Sequence, residues 1–427
     1  MKKFYAVFLM VVILLIGGCS TQQQPFTVYV PGDNRQIKEA VAEFQKENSD
    51  LVMNIEEFED LSELETRLST ELMSGKGPDV ILMTEDMSID VWKMVENQQF
   101  YDISGMLSDS EKYISAVLES GQYQEKQYLL PLSFSVMQLY TSEERLNQVT
   151  EGENLAFGAH VSEIMEVLYN DLQNATAEQG TIVNQLGEED ILYRWMQSAG
   201  YDMLNEDFDE TLFKQIADTW QQVEAHREEV SSIATQYANN FLGVIEHVTF
   251  MLEDLQLTNN IRYYATMYND QAGKNMQVIV PKTDEGYHVR VTAWGGIKSS
   301  SDYVDEGIEL LQSIMDYPIS SDFFKYGEEA YDLSINQENL AANVQEVIEK
   351  TGRAKPTSKE LREPYATQIQ DFITQIVGAY IPNTAVGDIV QETLQPYIEG
   401  TSDFVCVRGW DRIHSGMNMQ PCCITPV

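Results

Sequence analysis

Strand-like and helix-like segments alternate along the first part of the chain. Residues 27–30 form a short apolar run that predicts a strand, and residues 35–47 place their apolar side chains on one helical face. Residues 51–58 and 61–73 repeat this order, and the apolar run 79–83 predicts a buried parallel strand. This order predicts an α/β fold with a doubly wound sheet, in which ligands bind beyond the carboxyl ends of the strands.

The rest of the chain changes character twice. Residues 152–258 have mostly helical periodicity, whereas strand patterns return at 261–268, 276–281 and 287–297, followed by a helical pattern at 304–317. An α/β beginning, a helical middle and a return to strands predict two lobes between which the chain crosses more than once.

The first apolar run has the pattern of an export signal. Lys2 and Lys3 precede thirteen uncharged residues, 4–16, which are too few to span a bilayer as a helix. The run ends in Gly17-Gly18-Cys19, which resembles the bacterial lipobox. This resemblance implies cleavage before Cys19 and lipidation of its thiol, which would hold the protein at the extracytoplasmic face of the cell membrane. The alternative is an ordinary cleaved signal with a chance cysteine.

Charge and motif content narrow the possible functions. The chain has 27 Lys and Arg against 68 Asp and Glu, a formal net charge of −41, which argues against nucleic acid and anionic lipid headgroups as partners. It contains no P-loop, no GxSxG and no HExxH motif, and its five histidines lack the spacing of a zinc site. Neighbouring carboxylates carry little weight in so acidic a chain. We therefore expect a protein that is not an enzyme and that needs no metal or cofactor.

Six segments resemble, in the same order, the extracellular solute-binding proteins of ABC importers, and specifically their maltose-binding-like, carbohydrate-type group. These segments are 37–58, 71–84, 125–146, 192–204, 292–315 and 394–403. The resemblance implies a two-lobed periplasmic-binding-protein-like fold of type II, each lobe a sheet flanked by helices and joined by a hinge. It also implies a monomer that binds a sugar or oligosaccharide between its lobes and delivers it to ABC permease subunits.

With this resemblance the chain divides into five parts. They are a signal peptide (1–18), a lipid-anchored tether (19–26), a first lobe (27–133 with 268–319), a second lobe (134–267 with 320–403) and an atypical tail (404–427). The tail has three cysteines and no helical stripe where the family continues with an amphipathic helix. We expect a divergent or disordered tail in preference to a disulfide- or metal-binding one.

Sugar recognition requires aromatic faces together with hydrogen-bonding side chains, and four residues lie where a ligand could reach them. Trp294 precedes Gly295-Gly296, where a backbone can approach a ligand closely, although a core position is the alternative. Glu85 and Asp86 follow the strand 79–83 at its ligand-facing end. Asp33 follows the first strand in the same way, but a helix-capping role competes.

Three tyrosines complete the candidate ligand-binding set. Tyr140 follows the first expected crossover, and Tyr268 ends a strand near the second. Tyr193 and Trp195 are two residues apart on a predicted helix, so at most one of them faces a ligand.

Three other functions remain open at this stage. The same fold could bind a peptide, a polyamine or another non-sugar solute, and the acidity of the chain makes a cationic ligand conceivable. The chain could instead be a surface lipoprotein without a transport role, or an extracellular hydrolase.

The lipobox leads to a first testable prediction. Replacing Cys19 by Ala removes the thiol that carries the lipid, so we expect loss of labelled palmitate from the chain and its release from the membrane fraction. Cys406→Ala, in the tail, should leave both unchanged. Equal labelling of the two variants would contradict lipidation at Cys19.

Overall fold

The computed structural model describes most of the chain. The described residues are 24–32, 34–150, 155–173, 180–183, 191–201, 209–226, 245, 248–254, 268, 271–318, 332–349 and 367–404. Cys19, Asp33 and residues 405–427 lie outside these ranges. Within them, no helix is both long enough and apolar enough to cross a bilayer.

Strands and helices are numbered separately in chain order. The strands are β1 (Phe26–Pro31), β2 (Met53–Phe58), β3 (Val80–Thr84), β4 (Gln122–Tyr123), β5 (Lys126–Gln127), β6 (Leu129–Ser135), β7 (Met137–Ser142), β8 (Gly180–Val183), β9 (Val248–Asp254), β10 (Met276–Ile279), β11 (Tyr287–Ile297), β12 (Leu333–Ser334) and β13 (Ile376–Tyr380). The α-helices are α1 (Arg35–Glu47), α2 (Leu61–Met73), α3 (Val91–Glu96), α4 (Ser115–Glu119), α5 (Glu143–Val149), α6 (Val161–Gln173), α7 (Ile191–Ser198), α8 (Glu210–Ala225), α9 (Val304–Met315), α10 (Gln337–Glu349) and α11 (Thr384–Ile398).

A seven-stranded sheet contains the first part of the chain. Its order is β12-β6-β11-β3-β1-β2, and β13 pairs with β11 beside this path. β1 lies parallel to both β2 and β3, as the alternation of strands and helices predicts, whereas β11 is antiparallel to its neighbours β3 and β6. The carboxyl end of β3 therefore lies beside the middle of β11, where Thr84 pairs with Ala293.

Local sequence accounts for the first two helices, whose predicted bounds agree with the structure. Helix α1 buries Ile37 and Phe44 on its apolar face, and Asn34 caps it by accepting a 3.0 Å hydrogen bond from the backbone N–H of Ile37. Asp60 caps α2 in the same way, through the N–H of Ser62 at 2.9 Å. A capping side chain satisfies a backbone donor that the helix leaves unpaired at its start.

A four-stranded sheet, in the order β10-β7-β9-β8, forms a second layer of structure. Strand β7 is antiparallel to both β9 and β10, and β8 lies parallel to β9. Helices α6, α7 and α11 all contact α8, so the helical middle of the sequence and its last helix pack together.

The two sheets are joined directly through one residue, Val136. Strand β6 ends at Ser135 in the large sheet, and β7 begins at Met137 in the small one. Every residue of both strands is buried. The described chain thus changes sheets without an intervening loop.

Sheet membership departs from the predicted lobe bounds in three strands. The sequence placed 268–319 in the first lobe, but β10 pairs with β7 in the small sheet. It placed 320–403 in the second lobe, but β12 and β13 pair with β6 and β11 in the large sheet. Periodicity shows that a segment forms a strand but not which strand it pairs with, because pairing depends on residues far away in the sequence.

Side chains fill the space beside the two glycines near the end of β11. A Cβ atom on Gly295 would lie 2.4 Å from Cδ2 of Leu311 on α9, and one on Gly296 would lie 2.5 Å from Cδ1 of Phe100. The glycines therefore admit core side chains on the two faces of the sheet.

This packing predicts the effect of a single methyl group. Gly296→Ala should lower the free energy of unfolding by about 1–3 kcal/mol, because the aromatic ring of Phe100 must shift. Ser300→Ala, at an exposed position just beyond β11, is the control and should change stability by less than about 0.5 kcal/mol in urea denaturation. Equal stability of the two variants would show that the core has room for the methyl group.

Candidate functional site

Polar side chains gather where β3 ends, close to the crossing between the sheets. The backbone N–H of Glu85, the first residue after β3, donates a 2.9 Å hydrogen bond to the carbonyl oxygen of Thr292. This bond continues the pairing of β3 with β11 by one residue and fixes the position of Glu85.

Arg290 and Glu85 form an ion pair at this edge. The guanidinium Nε lies 2.9 Å from one carboxylate oxygen of Glu85, and Nη2 donates to the other oxygen at 3.4 Å. Arg290 is only 7% exposed, because at this position β11 lies between β6 and β13. The guanidinium faces the carboxylate at two points, of which the Nη2 contact is a hydrogen bond, and this part of the site carries no net charge.

Hydroxyl groups surround the ion pair on the β6 side. Ser133 and Thr292 share a 2.8 Å hydrogen bond between their side chains. Ser135 stands opposite Arg290 in the β6–β11 register and is almost fully buried. Among the described residues its hydroxyl has no hydrogen-bond partner. A buried hydroxyl without a partner costs free energy that a ligand could recover.

The small sheet contributes a second polar pair just past the crossing. The side-chain amide of Gln138 donates a 2.6 Å hydrogen bond to the hydroxyl of Tyr140. Both residues lie on β7 and are inaccessible to solvent. Only Val136 and Met137 separate Ser135 in the large sheet from Gln138 in the small one. Polar side chains of both sheets therefore lie within a few residues of the crossing at Val136.

The structure places two of the predicted ligand-binding residues at this edge and a third close to it. Glu85 belongs to the ion pair, and Asp86 beside it is exposed. Tyr140 lies on β7 next to the crossing. Cys19 and Asp33 lie outside the described residues, and Asn34 performs the capping that had competed with ligand binding at Asp33.

The other three predicted residues are packed into the interior. Trp294 is 2% exposed, and the glycines after it face protein side chains instead of open space. Tyr268 is buried as deeply, and its burial raises the pKa of its hydroxyl. Tyr193 lies on α7 in edge contact with Tyr201, at 6.4 Å between ring centres, and close to Gly387 of α11.

Sequence reasoning missed Arg290, Ser135 and Gln138. The signal was a polar or charged residue inside an apolar strand, as in "HVRVTAW" and "SVMQLY". Buried polar groups are uncommon and need partners, so such positions indicate either a structural pair or a ligand site. Their partners could not be read from the sequence, because Glu85 is 205 residues away from Arg290.

The described part of the chain contains no group of three or more His, Cys, Asp or Glu residues arranged to hold a metal ion. At the crossing, one carboxylate, one guanidinium, several hydroxyls and an amide can form hydrogen bonds.

Comparison with known proteins supplies a family and a fold. The family model described as bacterial extracellular solute-binding protein matches residues 39–325. A comparison with curated proteins finds no match.

Three solved structures illustrate the likeness. A candidate oligosaccharide periplasmic-binding protein from Synechococcus sp. MITs9220 superposes with a TM-score of 0.62 at 14% identity, over 88% of this chain and 94% of its own. The sugar-binding protein MalE from Xanthomonas citri gives 0.59 at 11%, over 89% and 93%. The cyclic alpha-maltosyl-1,6-maltose binding protein from Arthrobacter globiformis gives 0.55 at 14%, over 89% and 95%. At these identities the likeness shows the fold, which is the two-lobed type II binding fold that the sequence predicts.

The buried ion pair leads to a prediction about stability. Arg290→Met leaves the carboxylate of Glu85 partly buried and unpaired by the guanidinium, so it should lower the free energy of unfolding by about 2–4 kcal/mol. Combining it with Glu85→Gln should recover part of this loss, with a coupling of about 1–3 kcal/mol in a double-mutant cycle.

The more exposed pair Arg35–Glu39 on α1, at 2.8 Å and with side chains 42% and 33% exposed, is the matched control for this cycle. Its coupling should be no more than about 0.5 kcal/mol, because solvent screens both charges. If the two cycles gave equal coupling, the Arg290–Glu85 pair would contribute no more than a surface ion pair.

Proposed function

Because the chain belongs to the family of bacterial extracellular solute-binding proteins, we propose that it binds a sugar or oligosaccharide between its lobes and delivers it to an ABC importer. The observation that supports this proposal is the polar site at the carboxyl end of β3, where Glu85 pairs with Arg290 close to the point at which the chain passes from β6 to β7. The site offers hydrogen-bond donors and acceptors in a mutually neutralised set. A sugar needs this combination, because each hydroxyl both donates and accepts.

Two of the similar structures are named for sugars, which supports this choice of ligand. A ligand with a full charge would have to compete with the contact between Arg290 and Glu85, whereas a neutral polyol can add hydrogen bonds to it. The unpartnered hydroxyl of Ser135 adds a further donor and acceptor on the same side. The site therefore favours a neutral, hydroxyl-rich solute over an ion.

Hinge closure is the mechanism that this arrangement supports. The direct connection through Val136 joins the two sheets, so a rotation about it changes the distance between Glu85 and groups on the small sheet. A ligand that contacts both sides stabilises the closed form by the difference between its affinities for the two forms. The closed form is then the state that the permease subunits recognise.

Among the predicted ligand-binding residues, we retain Glu85 and Asp86 as contacts. Tyr140, Trp294, Tyr268 and Tyr193 are assigned to packing, which their burial supports. Asp33 remains a prediction from the sequence. We further propose that Cys19 carries the lipid that anchors the mature protein at the outer face of the membrane, that the protein acts as a monomer, and that it has no catalytic activity.

Thermal unfolding with a ligand panel tests the proposal. The panel contains maltotriose, mannotriose and cellotriose together with short peptides and polyamines, added to the chain lacking residues 1–19. A ligand present at 100 times its Kd stabilises the native state by about 2.7 kcal/mol, so we expect a rise of several degrees in Tm with one class of sugar. The same sugar should reduce the radius of gyration in solution scattering, as closure requires.

Two variants locate the binding. Glu85→Gln should reduce the sugar-induced shift, measured from its own baseline Tm, whereas Glu57→Gln at an exposed position on β2 should not. A response to peptides or polyamines without any response to sugars would overturn the carbohydrate assignment and leave the fold intact. Equal shifts in both variants would place the ligand away from Glu85.

A further inference from the structure

A second cavity lies between three helices outside the sheets. It is an open groove of about 430 Å³, lined by residues of α6, α8 and α11. This volume lies within the range of small-molecule sites, although the lining is more polar than is usual for them. None of its lining residues belongs to the strands that carry Arg290 or Gln138.

One side of the groove is a network in which the charges already cancel. The ammonium group of Lys214 lies 2.7 Å from the carboxylate of Asp218 and donates to the hydroxyl of Tyr397 at 3.2 Å. Tyr397 in turn donates to Asp218. The pKa of Lys214 is raised because hydrogen bonds to Asp218 and Tyr397 outweigh the effect of its burial. Lys214 therefore stays charged, and Asp218 balances that charge.

Two glutamine amides present acceptors to the groove. Gln215 donates through Nε2 to the carbonyl oxygen of Ser162 at 3.0 Å, and Gln221 does so to the carbonyl oxygen of Tyr397 at 2.8 Å. A carbonyl oxygen can only accept, so each bond must use the amide nitrogen. The amide oxygens remain, and within the described part of the chain neither accepts a hydrogen bond. Each amide also keeps one N–H, so the two glutamines can accept hydrogen bonds from a ligand and donate to it.

The opposite wall adds a negative charge and an aromatic ring. Glu166 and Tyr169 are three residues apart on α6, so they lie on the same side of the helix. Glu166 makes no ion pair or hydrogen bond with the described residues, and Tyr169 is 37% exposed. Because the charges of Lys214 and Asp218 cancel each other, the carboxylate of Glu166 gives the groove a net negative charge.

From these features we propose that the groove is a binding site for a primary ammonium group on an alkyl stem. Such a group can donate to the amide oxygen of Gln215 or of Gln221, which are about 9 Å apart along α8. It can also pair with Glu166 and lie against the ring of Tyr169 in a cation–π contact. The net charge of −41 on the chain attracts a cation over longer distances. A metal ion fits less well, because the described residues provide no cluster of three metal-ligating side chains.

The ammonium group could belong to a free polyamine or to a lysine side chain of another protein. Calorimetry with two probes distinguishes these two sources. Spermidine represents the first source and Nα-acetyl-lysine N-methylamide the second, each titrated into the full mature chain at low ionic strength. We expect binding that weakens as salt is added, since the groove is open to solvent. Tighter binding of spermidine would identify a free polyamine, and tighter binding of the lysine derivative would identify a protein side chain.

Matched variants locate the amine in the groove. Glu166→Gln should weaken binding about fivefold, and Tyr169→Leu about threefold. Tyr169→Phe keeps the ring and should bind as the parent does. Glu392→Gln, at an exposed position of α11 outside the groove, removes the same charge and should have little effect.

Three results would overturn the proposal. One is the absence of binding of either probe at millimolar concentration. Another is equal weakening by Glu166→Gln and Glu392→Gln, which would show only a response to net charge. The third is weakening by Glu85→Gln with none by Glu166→Gln, which would place the amine between the lobes.

Discussion

The structure depends on one long strand, β11, which is buried along almost its whole length. It pairs with β13 at its beginning and with β6 and β3 beyond, so its backbone groups are satisfied on both sides. The two glycines near its end let Leu311 and Phe100 pack against the two faces of the sheet at that point. This strand alone links the parallel strands β1 to β3 by hydrogen bonds to β6 within the described part of the large sheet.

The same strand also sets the chemistry of the site. Arg290 and Thr292 on β11 hold Glu85 by its side chain and by its backbone. Burying an ion pair costs solvation free energy, which the two-point contact offsets only in part. The pair therefore contributes more to the orientation of the carboxylate than to stability. An oriented carboxylate beside the crossing is the kind of preformed group that a ligand needs in order to gain affinity without ordering the protein first.

Charge is distributed differently in the two places where a ligand could bind. The chain as a whole is strongly acidic, yet at the crossing a guanidinium neutralises the carboxylate. In the groove between α6, α8 and α11, the charge of Glu166 is left over after Lys214 and Asp218 cancel. The net charge of the chain therefore does not predict which kind of ligand either place prefers. That preference follows from which charged side chains are paired.

The sequence by itself determined the local elements and the fold class. The bounds of α1 and α2 and the full extent of β11 follow from periodicity, and the order of strands and helices predicts the α/β sheet. The position of Glu85 at the carboxyl end of β3 could also be inferred, since it depends only on where that strand stops. These features are set by interactions between residues close together in the chain.

Only the tertiary structure decided which strands pair and which side chains are covered. β10 joins the small sheet, and β12 and β13 join the large one, whereas the lobe bounds predicted from the sequence assign these segments the other way. Trp294 is covered, and the partner of Glu85 is an arginine 205 residues away. Pairing and burial depend on contacts between segments that are far apart in the sequence. The periodicity of one segment does not reveal such a contact, because its free energy depends on both segments together.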